Sequence, residues 1–156
     1  MPTTSSSRTL QERPSASPVA PGIDTDLCAA RASQHNGCPD GKGSKGVVCY
    51  AGCGPDILRL RNDVVAAWHA LEADAPLDEA HDIFSGGVTG VRLRRGSIVA
   101  DPRFRNPRAG DFRLLPSSPA VDRGVRLGYT RDLSGTRLPL AGKAPDAGCY
   151  EFRSSG

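Results

Sequence analysis

The feature of the sequence that most restricts its fold is a recurring pair of apolar residues. The pairs return at intervals of 17, 19 and 15 residues, and they are Val47-Val48, Val64-Val65, Ile83-Phe84 and Ile98-Val99. The last three follow a polar turn dipeptide, which is Asn62-Asp63, His81-Asp82 or Gly96-Ser97. In a solenoid each rung buries its apolar side only against its neighbours, so an apolar pair returns once per rung. The spacing predicts a solenoid of about three or four rungs within residues 47–100.

A helix over residues 57–71 is the competing interpretation. It rests on five apolar residues at spacings of 3, 4, 4 and 3, which are Ile57, Leu60, Val64, Trp68 and Leu71. Asp56 would cap this helix. Against it, apolar and polar residues alternate over 58–64, and the Asn, Asp and two Val of 62–65 have low helix propensity. We therefore favour strands and turns in this segment.

Composition limits the fold and the function classes. The 156 residues include 18 Gly and 13 Pro, which disfavour long helices, and only 8 aromatic residues (4 Phe, 3 Tyr and 1 Trp) are available for a core. A net charge of +3 without basic blocks argues against nucleic acid as a partner. No apolar run approaches the roughly 20 residues of a membrane span. The first twenty residues lack the apolar region of a signal peptide, so the chain either remains inside the cell or has a longer N-terminus.

The N-terminal part divides into two segments by composition. Residues 1–22 are rich in Ser, Thr and Pro and are predicted to be a disordered tail. Residues 23–46 are predicted to be a Cys/Gly-rich loop region. The candidates for disulfides are Cys28, Cys38, Cys49 and Cys53, and their clustering favours an oxidising compartment. Free thiols and zinc are the alternatives, although only Cys49 and Cys53 have the spacing of a zinc ligand pair. Cys149 would be left free or would pair outside this chain.

The last third of the sequence carries five motifs in a fixed order. They are Asp101-Pro102-Arg103-Phe104, Asp111-Phe112-Arg113-Leu114, Ser118-Pro119-Ala120-Val121-Asp122-Arg123-Gly124, Asp132-Leu133-Ser134-Gly135-Thr136-Arg137-Leu138-Pro139 and Pro145-Asp146-Ala147-Gly148-Cys149-Tyr150-Glu151. Together they resemble the C-terminal end of right-handed parallel β-helix repeat proteins of the pectate-lyase-like superfamily. The resemblance implies an all-β fold: a short right-handed parallel β-helix with an irregular C-terminal closing segment over 101–153 and the disordered N-terminal tail.

A closing segment of this kind would cover the apolar end of the solenoid. The residues expected to form this lid are Phe104, Phe112, Leu114, Leu115, Val121, Leu133 and Tyr150. Four aspartates, Asp111, Asp122, Asp132 and Asp146, are interpreted as turn and backbone-capping residues in preference to metal ligands or catalytic acids.

A carbohydrate site is the one binding site that the residues suggest. Arg59, Arg61, Arg92 and Arg94 could line a groove for an acidic sugar, with Trp68 as a stacking platform. The alternatives are a solvated strand face for the arginines and a core position for Trp68.

The resemblance implies a secreted or cell-surface protein that acts on polysaccharide. Lyases of this superfamily use a Lys or Arg base, often with calcium, but Lys42, Lys45 and Lys143 lie in Gly-rich segments and no catalytic or metal site is found. Calcium is therefore implied by the resemblance alone. We expect a non-catalytic C-terminal part of a longer protein, whose preceding rungs are its partner and which binds or helps to process acidic polysaccharide. The alternatives are an active polysaccharide lyase or glycoside hydrolase, and a small disulfide-stapled interaction module over 28–53.

Overall fold

The computed structural model describes residues 23–25, 43–138 and 142–154, the first of these through the backbone only. The predicted tail, most of the predicted loop region 23–46, and Cys28 and Cys38 lie outside the described residues. The described ranges consist of strands and turns, with a 3-10 turn at Pro107–Ala109 as their single helical element. The all-β class is confirmed.

The strands form two parallel sheets and one antiparallel pair. In chain order they are β1 (Ile23–Thr25), β2 (Lys45–Cys49), β3 (Leu58–Arg61), β4 (Val64–Ala73), β5 (Asp78–Ala80), β6 (Ile83–Thr89), β7 (Ile98–Val99), β8 (Phe104–Asn106) and β9 (Asp111–Leu114). A three-stranded parallel sheet has the order β1-β3-β5, and a four-stranded parallel sheet has the order β2-β4-β6-β7. From β3 to β6 the chain alternates between these two sheets. We call each successive pair of strands, one from each sheet, a repeat. Residues 57–71 lie mostly in β3 and β4, so the helical alternative is wrong.

The register between strands reproduces three of the four apolar pairs. The first members form one row of register partners and the second members form another: Val64, Ile83 and Ile98, and Val65, Phe84 and Val99. The pair Val47-Val48 departs from the predicted series, because Val47 lies opposite Leu71 and Val48 opposite Glu72. β4 extends well beyond Val64-Val65, and only its second half has a partner in β2.

Each row belongs to a different apolar cluster, which explains why the residues come in pairs. The interior core contains Leu60, Val65, Ala70, Leu71 and Phe84. The outer core contains Val64 and Ile83 together with Leu114, Ala120 and Ala147 of the closing segment. A strand buried on both faces requires consecutive apolar residues instead of alternation. Val99 is 58% exposed because β7 is the last strand of its sheet.

The turn before each apolar pair has the same backbone conformation in successive repeats. Asn62, His81 and Gly96 have φ values of 56, 62 and 84 degrees, in the left-handed region. Asn and Gly adopt this conformation more readily than most residues. His81 thus occupies the turn position that Asn62 holds one repeat earlier, as the sequence predicted.

The closing segment runs back along these turns instead of forming only an end lid. The His81 Nδ1 atom lies 2.8 Å from the Arg123 carbonyl oxygen. One repeat earlier, the Asn62 amide bonds both the N–H and the C=O of Val125, each at 2.8 Å. Of the expected lid residues, Leu114 is buried, but Leu115 and Leu133 are 38% and 66% exposed. The lid prediction is therefore only partly correct.

Candidate functional site

Three guanidinium groups surround one carboxylate on the three-stranded sheet. Arg59 Nε lies 2.9 Å from Asp78 Oδ2. The other carboxylate oxygen, Asp78 Oδ1, lies 2.5 Å from Arg61 Nη2 and 2.9 Å from Arg95 Nη1. The hydrogen bond from Arg61 is the main reason why the pKa of Asp78 is lowered, with further help from Arg59. Because three guanidinium groups meet on this one carboxylate, we call the group the arginine face.

The arginine face is open to solvent on two sides. The side chains of Arg59 and Arg95 are 52% and 65% exposed, whereas Arg61 is half-buried and also bonds the Asp78 carbonyl oxygen. Carboxylates and sulfates are the groups that paired guanidiniums bind best, since the planar fork donates two parallel hydrogen bonds. The geometry suits an anionic chain that crosses the repeats.

The structure brings only some residues of the predicted sugar site close together. Arg59 and Arg61 lie together on β3, but Trp68 lies on β4 in the other parallel sheet. Trp68 is 51% exposed, so its alternative as a core residue is wrong. Arg92 and Arg94 are exposed, and the Arg94 backbone N–H donates to Glu79 Oε1 at 2.5 Å.

Arg95 is the member of the face that the predicted sugar site did not include. It adjoins Arg94 in a visible basic cluster, but strict alternation along a strand would turn Arg94 and Arg95 to opposite sides. Arg95 has a φ of 49 degrees, so the extended conformation ends there and alternation no longer applies. The cluster itself was the available signal, and the local turn decided which arginine joins Asp78.

A second polar group lies where β2 meets β4. Lys45 opens β2 opposite His69, which corrects its predicted place in a loop. Lys45 Nζ donates to Glu72 Oε2 at 2.5 Å, and the Tyr50 hydroxyl donates to the same oxygen at 3.1 Å. His69 Nδ1 lies 3.4 Å from Glu72 Oε1 without forming a hydrogen bond. We call these four residues the Glu72 cluster.

The protonation states in the Glu72 cluster favour an ion pair over a general base. The hydrogen bond from Lys45 lowers the pKa of Glu72, and the same bond raises the pKa of Lys45. Burial is the main cause of the raised pKa of Tyr50, and its bond to Glu72 adds to the effect. An efficient base at neutral pH has a pKa close to 7, so neither Lys45 nor Tyr50 is tuned for proton abstraction.

A disulfide joins Cys49 to Cys53 and closes the loop that carries Tyr50. This bond confirms one pair of the predicted disulfide candidates and makes the zinc alternative at these two residues wrong. Cys149 is a buried free thiol. The described part of the chain contains no group of three or more His, Cys, Asp or Glu side chains able to hold a metal ion.

The turns of successive repeats contain buried carboxylates. Asp82 is fully buried, and its two oxygens accept hydrogen bonds from the backbone N–H groups of Asp63 and Ala80 at 2.8 and 3.1 Å. Burial raises the pKa of Asp82 to about 7, and the nearby Glu79 charge acts in the same direction. Since solvent does not reach Asp82, we regard it as a structural residue that links one repeat to the next.

Comparison with known proteins finds no relative of this chain. The chain matches no family model, no curated protein and no solved structure. Among the described residues, no helix is both long and apolar enough to cross a membrane.

Proposed function

We propose that this chain is the C-terminal part of an extracellular right-handed parallel β-helix protein, and that its arginine face binds acidic polysaccharide. Alternation between two parallel sheets, with register partners 19 and 15 residues apart, supports the β-helix. Connections between parallel strands of one sheet are right-handed in about 98% of cases. The Cys49–Cys53 disulfide supports a secreted or cell-surface location, since disulfides persist in oxidising compartments.

Further rungs of a longer protein are the proposed partner. β1 and β2 are the first strands of the two parallel sheets in the described residues, so each has one strand edge without a described neighbour. An edge of this kind presents unpaired N–H and C=O groups to which another parallel strand can add. A preceding rung would extend both sheets at the same time. No role is proposed for calcium, which rests on the resemblance alone.

The single observation that carries the binding proposal is the convergence of Arg59, Arg61 and Arg95 on Asp78. An acidic polysaccharide supplies repeated carboxylates that would compete with water for Arg59 and Arg95. Binding of this type weakens with salt, because exposed charges are screened over about 10 Å at 0.1 M ionic strength.

The test is isothermal titration calorimetry with polygalacturonate at several salt concentrations. We expect the double variant Arg59→Gln/Arg95→Gln to bind at least about tenfold more weakly than wild type, equivalent to about 1.4 kcal/mol. The matched control is Arg108→Gln/Arg126→Gln, which removes the same charge from two exposed arginines elsewhere. Equal losses of affinity in both variants would show that binding depends on net charge alone. Wild-type affinity in the Arg59→Gln/Arg95→Gln variant would contradict the proposal.

Polysaccharide β-elimination is the alternative function that the resemblance implies, and the raised pKa values of Lys45 and Tyr50 argue against the general base that it requires. A base would take the proton α to a uronate carboxylate, the glycosidic C–O bond would break, and the leaving oxygen would take a proton. Chromophoric unsaturated product from wild type, lost in Tyr50→Phe and in Lys45→Met, would establish this function. Binding without product would leave the non-catalytic proposal in place.

A further inference from the structure

The closing segment contains a pocket lined by three arginines. Its volume is about 430 Å³, and Arg105, Arg113 and Arg153 contribute to its walls. We propose that this pocket binds a sugar-sized organic anion through a carboxylate or sulfate group. The site lies in a different segment from the arginine face, so the inference does not depend on the proposed function.

Two of the arginines lie on neighbouring strands of the same hairpin. In the antiparallel pair β8–β9, Phe104 is opposite Leu114 and Asn106 is opposite Asp111, with an irregularity between them. Phe104 and Leu114 face the outer core. Because side chains alternate along a strand, Arg105 and Arg113 emerge on the other face of the hairpin. Like charges on adjacent strands destabilise a sheet, and here Asp111 offsets part of that repulsion through its ion pair with Arg113.

Around the pocket, Arg105 has no hydrogen bond or ion pair of its own in the described ranges, but its charge helps to lower the pKa of Asp111. Arg113 forms a bidentate ion pair with Asp111. Its Nε lies 2.7 Å from one carboxylate oxygen and its Nη2 lies 2.6 Å from the other. The hydrogen bond from Arg113 lowers the pKa of Asp111 to about 2, so this pair stays fully charged at neutral pH. Arg153 donates to the Thr136 hydroxyl, and Glu151 supplies the second negative charge.

The interaction of Arg105 that the described ranges show is its electrostatic attraction to Asp111. Arg105 is exposed, and no hydrogen bond or ion pair joins it to another residue in the described ranges. Among the described residues, three arginines face Asp111 and Glu151, which leaves one surplus positive charge around the pocket. A single anionic group would neutralise it, and the Arg105 guanidinium would donate the hydrogen bonds.

The remaining walls suit the body of a small ring-containing molecule. Tyr150 and Phe152 are half-buried aromatic residues, and Ser134 and Ser154 add hydroxyl groups. Small-molecule sites commonly have volumes of roughly 300–1,000 Å³ and combine apolar walls with a few polar groups. The combination of one surplus charge, two aromatic rings and hydroxyl groups points to a monosaccharide that carries one acidic group.

The test measures binding of galacturonate, galactose 6-sulfate and uncharged galactose to the full chain by calorimetry at low salt. We expect the wild type to bind one or both anions at least tenfold more tightly than galactose. Arg105→Gln should lose at least tenfold in affinity for them without a change in melting temperature. The matched control Arg108→Gln removes an exposed arginine from the turn of the same hairpin and should bind as wild type. The preferred anion distinguishes a carboxylate from a sulfate source.

Three results would overturn the proposal. They are equal affinity for galactose and for both anions, equal losses in Arg105→Gln and Arg108→Gln, and unchanged binding in Arg105→Gln. If the wild type binds neither anion, the proposal is overturned in the same way as by equal affinity for galactose and the anions. An Arg59→Gln/Arg95→Gln variant that retains monosaccharide binding would show that the pocket and the arginine face act separately.

Discussion

The repeats over 58–100 and the closing segment over 101–153 differ in the hydrogen bonds of their backbone, although both use carboxylates at turns, as Asp82 does in the repeats. The repeats use backbone bonds between parallel strands, and their apolar pairs stack in fixed rows. In its described residues the closing segment has one short hairpin, and elsewhere its turns depend on carboxylates that bind backbone N–H groups, as Asp146 does for Asp122 and Phe152. Regular strands therefore tolerate changes of polar side chains, whereas an irregular segment depends on each carboxylate that replaces a strand neighbour.

Loss of the largest interior side chain should strongly destabilise the repeats. Phe84 is fully buried, and Phe84→Ala should reduce the free energy of unfolding by about 3–5 kcal/mol, because a cavity remains. The matched control is Val99→Ala, which changes the same row one repeat later, where the residue is 58% exposed. We expect the control to cost under about 1 kcal/mol. Urea unfolding measures both, and equal effects would contradict the burial of Phe84 and the exposure of Val99.

The pH dependence of stability should reveal the buried carboxylate of the repeats. The pKa of Asp82 is about 7 in the folded chain and ordinarily 3.8. Between these values the unfolded chain has released its proton while the folded chain retains it, so stability falls as pH rises from about 4 to 7. At about 1.4 kcal/mol per pKa unit, the loss approaches about 4 kcal/mol at most.

Asp82→Asn removes this titration at nearly constant shape. Relative to wild type, the variant should gain stability as pH rises from 4 to 8, measured by thermal melts across that range. The control is Asp101→Asn, an exposed carboxylate whose bond within the described ranges is to the nearby Arg103 N–H. A difference between Asp82→Asn and wild type that is independent of pH would show that Asp82 is ionised in the fold throughout.

A smaller and more local effect is expected in the closing segment. Asp146→Ala leaves two backbone N–H groups, those of Asp122 and Phe152, without their acceptor. We expect a loss of about 2 kcal/mol, with faster hydrogen exchange in the closing segment than in the strands. Asp101→Ala serves as the control. Uniformly faster exchange throughout the chain would show that the two regions unfold as one unit.

The sequence predicted the repeats better than the site. Apolar pairs and left-handed turn residues depend on local chemistry that recurs, so Val64, Ile83 and Ile98 were found in the correct register. The arginine face required knowing where a strand ends, and the φ value of Arg95 cannot be derived from its neighbours in sequence. Similarly, Lys45 and Glu72 are 27 residues apart, and only the register between β2 and β4 brings them together. No periodicity predicted the path of the closing segment along Asn62 and His81.

The outer core has a consequence for the order in which the chain is synthesised. Val64, Ile83 and Ile98 leave the ribosome before the residues that cover them, the last of which lies near Ala147. Stacked repeats can form from contacts about 19 residues apart, whereas the bond from Asn62 to Val125 joins residues 63 apart. A nascent chain that has completed its repeats thus exposes an apolar row until some fifty more residues have emerged. Such rows are sites of aggregation and chaperone binding, so we expect slow translation through the closing segment to lower the share of chains that reach the native state.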